Sequence, residues 1–219
     1  MSDNASKLIL GLAAAVGVAL VAFARKYGAD VELPELPPGT EPIARAELEL
    51  ERWRGMKETD VLAAPLLARY WAAVGSPPQP PVVPWSAAFI SFVAGKSLKP
   101  SANHVGYARA ALEARQRQQL GKYWAFAPNE SGVLPVRRGD ILLRGRGVPV
   151  GWQDVERDTG HKDAHGDIVI DTTGGLLSLI GGNVSNGVTL TQQPYSQAAP
   201  LVFAVLRPAP SVPMAGGIA

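Results

Sequence analysis

The chain of 219 residues contains no cysteine and only three histidines. The absence of cysteine excludes disulfide bonds, thiolate metal sites, a cysteine nucleophile and lipid attachment through a cysteine. The sequence also lacks an excess of one charge, since 21 basic residues stand against 19 acidic ones, scattered along the chain. Nucleic-acid binders need a concentrated basic face, so we expect no nucleic-acid partner. Any covalent catalysis must use an atom other than a cysteine sulfur.

An uncharged segment lies near the N-terminus, where residues 8–24 are flanked by Lys7 and by Arg25-Lys26. As a helix it would span about 26 Å at ~1.5 Å per residue, slightly less than the ~30 Å hydrocarbon core of a bilayer. A signal peptide, a membrane anchor and a buried core helix are the alternatives. The basic pair directly after the segment favours an uncleaved anchor. We therefore predict a single-pass membrane protein that contacts the lipid bilayer through residues 8–24. The two basic residues after the segment point to the cytoplasmic side for the globular part, so its side stays open, with the cell envelope or a virion as the alternatives.

The rest of the chain divides where its composition changes. A proline-rich acidic stretch predicts a linker, helical periodicity follows it, and beyond Gly132 the pattern becomes that of strands. Five segments have strand character, namely residues 139–145, 165–173, 176–184, 187–196 and 201–208. Helices followed by strands predict an α+β domain with a five-stranded, mostly antiparallel sheet. We predict an anchor over residues 1–28, a linker over 29–43, one domain over 44–208 and a disordered tail over 209–219.

The nearly apolar stretch VPWSAAFISFV holds one small hydroxyl, that of Ser86, directly after a Pro-Trp pair. Its spacing predicts a buried helix that begins at or just after Ser86, with Trp85, Phe89 and Phe92 on one face. The amide N–H groups in the first turn of such a helix would stabilise an anion beside Ser86. Ser86 is therefore either a helix cap, a role that serine often has, or a nucleophile.

A second polar group occurs in the stretch HGDIVIDTT. Alternation along this predicted strand puts His165 and Asp167 on one face, and Asn183 lies in the Gly-rich end of the following strand. A histidine at the end of a strand, with polar groups to orient it, is typical of a general base. His161 also suggests a metal site, but its spacing from His165 would need a helix where glycines and a strand are predicted. We predict no metal and no cofactor.

The order of these motifs resembles the NlpC and CHAP groups of papain-like amidases. The matching features are a Trp-Ser86-Ala helix start, a Gly139-Asp140 turn into a strand, the His165 strand and a strand that ends in Gly-Asn183. The chain is still more similar to an uncharacterised bacterial branch of that superfamily, which has serine in place of the catalytic cysteine. The resemblance runs roughly from Glu47 to Arg207. It implies a papain-like fold, with N-terminal helices packed on the sheet, and cleavage of amide bonds in bacterial cell-wall peptides.

The resemblance places Ser86 at the nucleophile, His165 at the base and Asn183 at the residue that orients the base. A surrounding shell would consist of Trp85, His104, Tyr107 and Asp167. Serine departs from the family pattern, because a hydroxyl stays protonated near neutral pH and depends on a base to remove its proton. Two functions stay open. The first is a membrane-anchored peptidoglycan amidase or peptidase acting on peptide stems, and the second is an inactive module, such as a phage virion component, that binds wall peptides or a protein partner.

Overall fold

The computed structural model describes residues 41–147, 149–160 and 163–210. Helices come first in this part of the chain, and a sheet follows, so the predicted α+β class is confirmed. The longer helices are α1 (Pro42–Trp53), α2 (Ala64–Ala73), α3 (Ser86–Ala94) and α4 (His104–Gln116), and the short ones are α5 (Trp152–Arg157) and α6 (Tyr195–Ala198). The predicted anchor, most of the predicted linker and nearly all of the predicted tail lie outside the described residues. Among the described residues, no helix combines the length and the apolar character that crossing a bilayer requires.

In the described ranges, the sheet has six antiparallel strands in the order β1-β6-β2-β3-β4-β5. They are β1 (Tyr123–Phe126), β2 (Ile141–Gly145), β3 (Ala164–Asp171), β4 (Leu176–Val184), β5 (Gly187–Pro194) and β6 (Val202–Pro208). The five predicted strands correspond to β2 to β6. The prediction of five strands is wrong by one, because β1 contains only the four residues YWAF, three of them buried, and shows no alternation.

The starts of two helices follow from local chemistry. Pro65 lies in the first turn of α2, where a missing N–H group leaves no helical hydrogen bond unmade. Helix α4 begins at His104 and is capped by Asn103, whose Oδ1 accepts a hydrogen bond from the amide of Val105 at 3.0 Å. Ser101 Oγ in turn accepts a hydrogen bond from the amide of Asn103 at 3.0 Å, which fixes the capping residue.

The two faces of the sheet carry separate apolar clusters. The larger cluster joins the sheet to helices α1 to α4 and includes Ile168 of β3 and Ile180 of β4. The smaller one includes their neighbours Val169 and Leu179. Side chains alternate between the faces of a strand, so the four long helices cover one face and the smaller cluster covers the other.

Two glycines let the helices lie directly against the main chain of the central strands. A Cβ atom added at Gly182 of β4 would lie 2.5 Å from the Cβ of Phe89 on α3. A Cβ added at Gly166 of β3 would lie 2.9 Å from Tyr107 Oη on α4 and 3.1 Å from Ile90 Cγ1 on α3. Side chains at these positions would push the helices away. Their absence brings the first residue of α3 next to β3.

Candidate active site

Ser86 is the first residue of α3, and Trp85 occupies the N-cap position before it. Its Oγ atom lies 3.0 Å from Nδ1 of His165 and 3.3 Å from Nε2 of His104. The amide of Gly166 also donates to Ser86 Oγ, at 3.3 Å. The helix-cap interpretation of Ser86 is therefore wrong. Its hydroxyl is within hydrogen-bonding distance of the His165 and His104 rings and of the Gly166 amide on β3.

His165 lies between Ser86 and a carboxylate. Its second ring nitrogen, Nε2, is 2.9 Å from Oδ1 of Asp167, and the other carboxylate oxygen forms an ion pair with Arg144. The strand register explains this arrangement, since Arg144 of β2 is directly opposite His165 of β3 and Asp167 follows two residues later on β3. Cross-strand neighbours and alternate residues share a face of the sheet. A continuous series of contacts thus runs from Arg144 through Asp167 and His165 to Ser86.

These side chains are almost closed off from solvent. The exposed fraction is 2% for Ser86, 4% for His104, 6% for His165 and 1% for Asp167. Burial alone would raise the pKa of the Asp167 carboxyl, but the neighbouring His165 ring and the Arg144 guanidinium outweigh it and hold this pKa below its usual value. Asp167 is therefore an ionised acceptor for the Nε2–H group of His165. In the neutral ring, Nδ1 is then the nitrogen that accepts the proton of Ser86.

Asn183 does not make the orienting contact that the resemblance implies. Both ring nitrogens of His165 already have partners, which are Ser86 and Asp167. Asn183 lies at an irregularity in the β4–β5 pairing, with φ at 61°, and its main-chain oxygen accepts a long hydrogen bond of 3.4 Å from Arg146. The bulge changes the direction of its side chain relative to a regular strand.

Gly181 of β4 leaves the space that Asp167 fills. Gly181 is the register partner of Asp167, and a Cβ at Gly181 would lie 2.1 Å from Asp167 Oδ1 and 2.9 Å from His165 Nε2. The Asp167 carboxylate thus occupies the space that a side chain at position 181 of β4 would need. The sequence shows this glycine but not its contact, so it was not among the predicted site residues.

Trp85 fixes the chain directly before Ser86. Its indole Nε1–H donates to Glu58 Oε2 at 2.8 Å, and its ring stacks on Trp53 and Tyr70, with centroids 5.0 and 5.7 Å away. Trp85 is fully buried. Glu58, in the connection between α1 and α2, therefore helps to position the nucleophile candidate, although no sequence motif indicates it.

Helix α4 brings a second polar pair to the site. His104 is its first residue, Tyr107 follows one turn later, and their rings meet edge to face with centroids 5.3 Å apart. The hydroxyl of Tyr107 is fully buried and has no hydrogen-bond partner among the described residues. Burial, together with the charge of Asp167, raises the pKa of Tyr107, so this hydroxyl keeps its proton.

The comparisons with known proteins give one family. A family model described as "Uncharacterized protein conserved in bacteria (DUF2272)" matches residues 58–206, more than half of the chain. The chain belongs to the DUF2272 family. No curated protein matches it, and no solved structure does. The DUF2272 segment begins at Glu58, which is hydrogen-bonded to Trp85, and ends within β6, so it contains all the site residues described above except Trp53.

The described residues of this site do not form a metal-binding group. His161 lies outside the described residues, and within residues 41–147, 149–160 and 163–210 no group of three or more His, Asp or Glu side chains is arranged to hold an ion. The groups around Ser86 include two imidazoles and a carboxylate. Chemically, this set can take a proton from Ser86 and hold the resulting imidazolium beside an anion.

Proposed function

We propose that this DUF2272 protein is a serine amidase or peptidase that hydrolyses amide bonds of bacterial cell-wall peptides. One observation carries the proposal. Ser86 Oγ lies 3.0 Å from one nitrogen of His165, and the other nitrogen of that ring lies 2.9 Å from the ionised Asp167. A serine needs such a base, held in one tautomer, because it has no thiolate form near neutral pH. The resemblance to NlpC and CHAP enzymes supports the choice of substrate.

The reaction would proceed in two halves. Ser86 Oγ bonds to the carbonyl carbon of the amide while its proton passes to His165 Nδ1, and main-chain N–H groups in the first turn of α3 stabilise the oxyanion. His165 then gives that proton to the leaving nitrogen as the C–N bond breaks, which leaves an ester on Ser86. Water attacks the ester, loses a proton to His165 and releases a carboxylic acid, and His165 returns the proton to Ser86. Asp167 orients His165 throughout and stabilises its charged form.

The finer fold and the location are part of the same proposal. We place the domain in the papain-like class, which is supported by a nucleophile at the start of a helix that packs on an antiparallel sheet and by a base on one of its strands. The uncharged segment over residues 8–24 would anchor the domain in a membrane next to the cell wall.

A second function is favoured by the burial of Ser86. Its exposed fraction is 2%, and three nitrogen atoms surround its hydroxyl, so a substrate carbonyl must displace one of them. A non-catalytic module that binds wall peptides or a protein partner needs no such access. In that case the polar groups around Ser86 would only support the fold.

Digestion of purified peptidoglycan by the full-length protein tests the proposal, with the released fragments identified by mass spectrometry. We expect new amide-cleaved fragments from the unmodified protein and none from Ser86→Ala. Ser91→Ala is the matched control, because Ser91 is a buried serine of the same helix whose hydroxyl bonds to Ser101 instead of a histidine. This variant should keep the activity.

The binding module predicts a different result. Neither the unmodified protein nor Ser86→Ala would release fragments, and both would sediment with the wall. Equal release of fragments by both proteins would remove Ser86 from the reaction and contradict the proposed mechanism.

A further inference from the structure

The oxygen of Ser86 is surrounded by three nitrogen atoms. Nδ1 of His165 lies 3.0 Å away, while Nε2 of His104 and the main-chain nitrogen of Gly166 both lie 3.3 Å away. A serine hydroxyl has one proton to donate and two lone pairs that accept. All three contacts can be hydrogen bonds only if one nitrogen accepts a proton and the other two donate.

The partners of each nitrogen decide which one accepts. The amide of Gly166 can only donate. Nε2 of His165 faces an ionised carboxylate, so it carries a proton and leaves Nδ1 of the neutral ring as the acceptor. Ser86 therefore donates to His165. The remaining nitrogen, Nε2 of His104, must carry a proton and donate to Ser86.

We propose that His104 is a further catalytic residue, whose Nε2–H group donates to Ser86 Oγ at rest and to the oxyanion of the tetrahedral intermediate during the reaction. This inference rests on the proposed amidase activity. The Oγ lone pair that accepts the hydrogen bond from His104 at rest would form the new bond to the carbonyl carbon. The oxyanion then forms on an atom adjacent to that carbon, within reach of the same N–H group. The proton of Ser86 goes to His165, and His104 keeps its own.

The position of His104 favours this role over that of a second base. To accept the proton of Ser86, Nε2 of His104 would have to be unprotonated. His165 would then need a proton on both of its ring nitrogens. That state removes the acceptor closest to Ser86, at 3.0 Å. His104 is also 4% exposed, and a fixed donor in a buried site stabilises a developing charge more than it would in solution.

Nitrogen NMR of the full-length protein, labelled at histidine, tests the hydrogen-bond assignment directly. We expect a proton on Nε2 of His104, and in His165 a proton on Nε2 and none on Nδ1. Ser86→Ala should shift the Nε2 signal of His104, because it removes the oxygen that this N–H group contacts. An unprotonated Nε2 in His104 would overturn the inference.

Kinetics on cell-wall peptides test the catalytic role. His104→Ala should lower kcat by about 10²–10³-fold, the usual effect of losing one oxyanion donor, with little change in KM. The pH at which activity rises should stay the same, since His165 remains the base. His104→Gln, which keeps an N–H donor on a side chain of similar reach, should recover part of the loss.

Two kinetic results would contradict the role of His104. Full activity of His104→Ala would remove it from catalysis, and loss of the rise in activity with pH in that variant would make it the base. If the unmodified protein cleaves no amide, the proposed function and the oxyanion role both fail. The NMR result would then still show whether His104 donates to Ser86, so a failed hydrogen-bond assignment and a failed activity give different outcomes.

Discussion

A single methyl group added at Gly181 would perturb the contact between Asp167 and His165. The φ of Gly181 lies outside the left-handed region, so alanine would meet no backbone strain there. Its Cβ would, however, lie 2.1 Å from Asp167 Oδ1 and 2.9 Å from His165 Nε2. The carboxylate cannot stay where it is at that separation, so Gly181→Ala must move Asp167 away from the ring of His165.

We expect Gly181→Ala to lower the free energy of unfolding by about 2–4 kcal/mol. Overpacking a buried position costs about 1–3 kcal/mol, and a hydrogen bond to a charged group contributes about 1.5–3 kcal/mol. The two effects share the same atoms and are not additive. Domains unfold with roughly 5–15 kcal/mol, so we expect the variant to fold and to remain measurable.

Urea unfolding of the full-length protein measures the loss of stability, and histidine NMR measures the change at His165 Nε2. Gly151→Ala is the matched control, because the nearest atom to an added Cβ is the amide nitrogen of Gln153, at 4.0 Å. We expect the control to change stability by about 1 kcal/mol or less, the size of an altered helix start. Unchanged stability together with unchanged His165 signals in Gly181→Ala would refute the close contact.

Two further predictions concern polar groups around the site. The pKa of Asp167 lies below its unfolded value of about 3.9, so its carboxylate stabilises the fold above about pH 4, and this contribution is lost as the pH falls through the lower folded-state pKa. Asp167→Asn should lower the free energy of unfolding near neutral pH by about 3 kcal/mol, because Arg144 loses its anionic partner. An acid limb as steep in the variant as in the unmodified protein would contradict the contribution of Asp167. Tyr107→Phe should raise the free energy of unfolding by about 1–3 kcal/mol, because it removes a buried hydroxyl without a partner among the described residues. The control Tyr123→Phe, which loses a hydrogen bond to the Gly139 carbonyl, should lower it by about 1 kcal/mol, and a loss of stability in both variants would show that Tyr107 has a partner.

Local patterns predicted most of the fold because the chain alternates or repeats where its elements lie. The strands β2 to β6 each have five or more residues and are bounded by segments that contain Gly, Asn or Pro, so their periodicity is readable. Strand β1 has only four residues and owes its place to pairing with β6, a contact about 80 residues away in the chain. Nothing in the stretch YWAF distinguishes it from a buried turn of helix.

The site was only partly predictable from the sequence. The contact between His165 and Asp167 depends on how neighbouring strands pair, which the alternation of residues along one strand does not show. The resemblance to papain-like amidases predicts that Ser86 and His165 lie together, and their side chains do meet. The orienting group was expected on the next strand at Asn183, but the irregular pairing there, with φ at 61°, turns that residue away from a regular strand position. Asp167 takes the role because Gly181 opposite it has no side chain.

The charges beside His165 bear on whether the site acts on a substrate. An ion pair taken out of water gains little stability over apolar residues of the same size, because its desolvation offsets its attraction. Asp167 is 1% exposed, and Arg144 lies against one side of its carboxylate. This pair therefore adds little stability beyond what leucine or methionine would give at the same positions. In a module that only binds wall peptides, the Arg144–Asp167 pair would support the fold and add little stability over apolar residues. In the proposed hydrolase the carboxylate has a further role, since it stabilises the imidazolium that forms when His165 takes the serine proton. The Arg144–Asp167 pair is therefore better explained by the proposed catalysis than by binding alone.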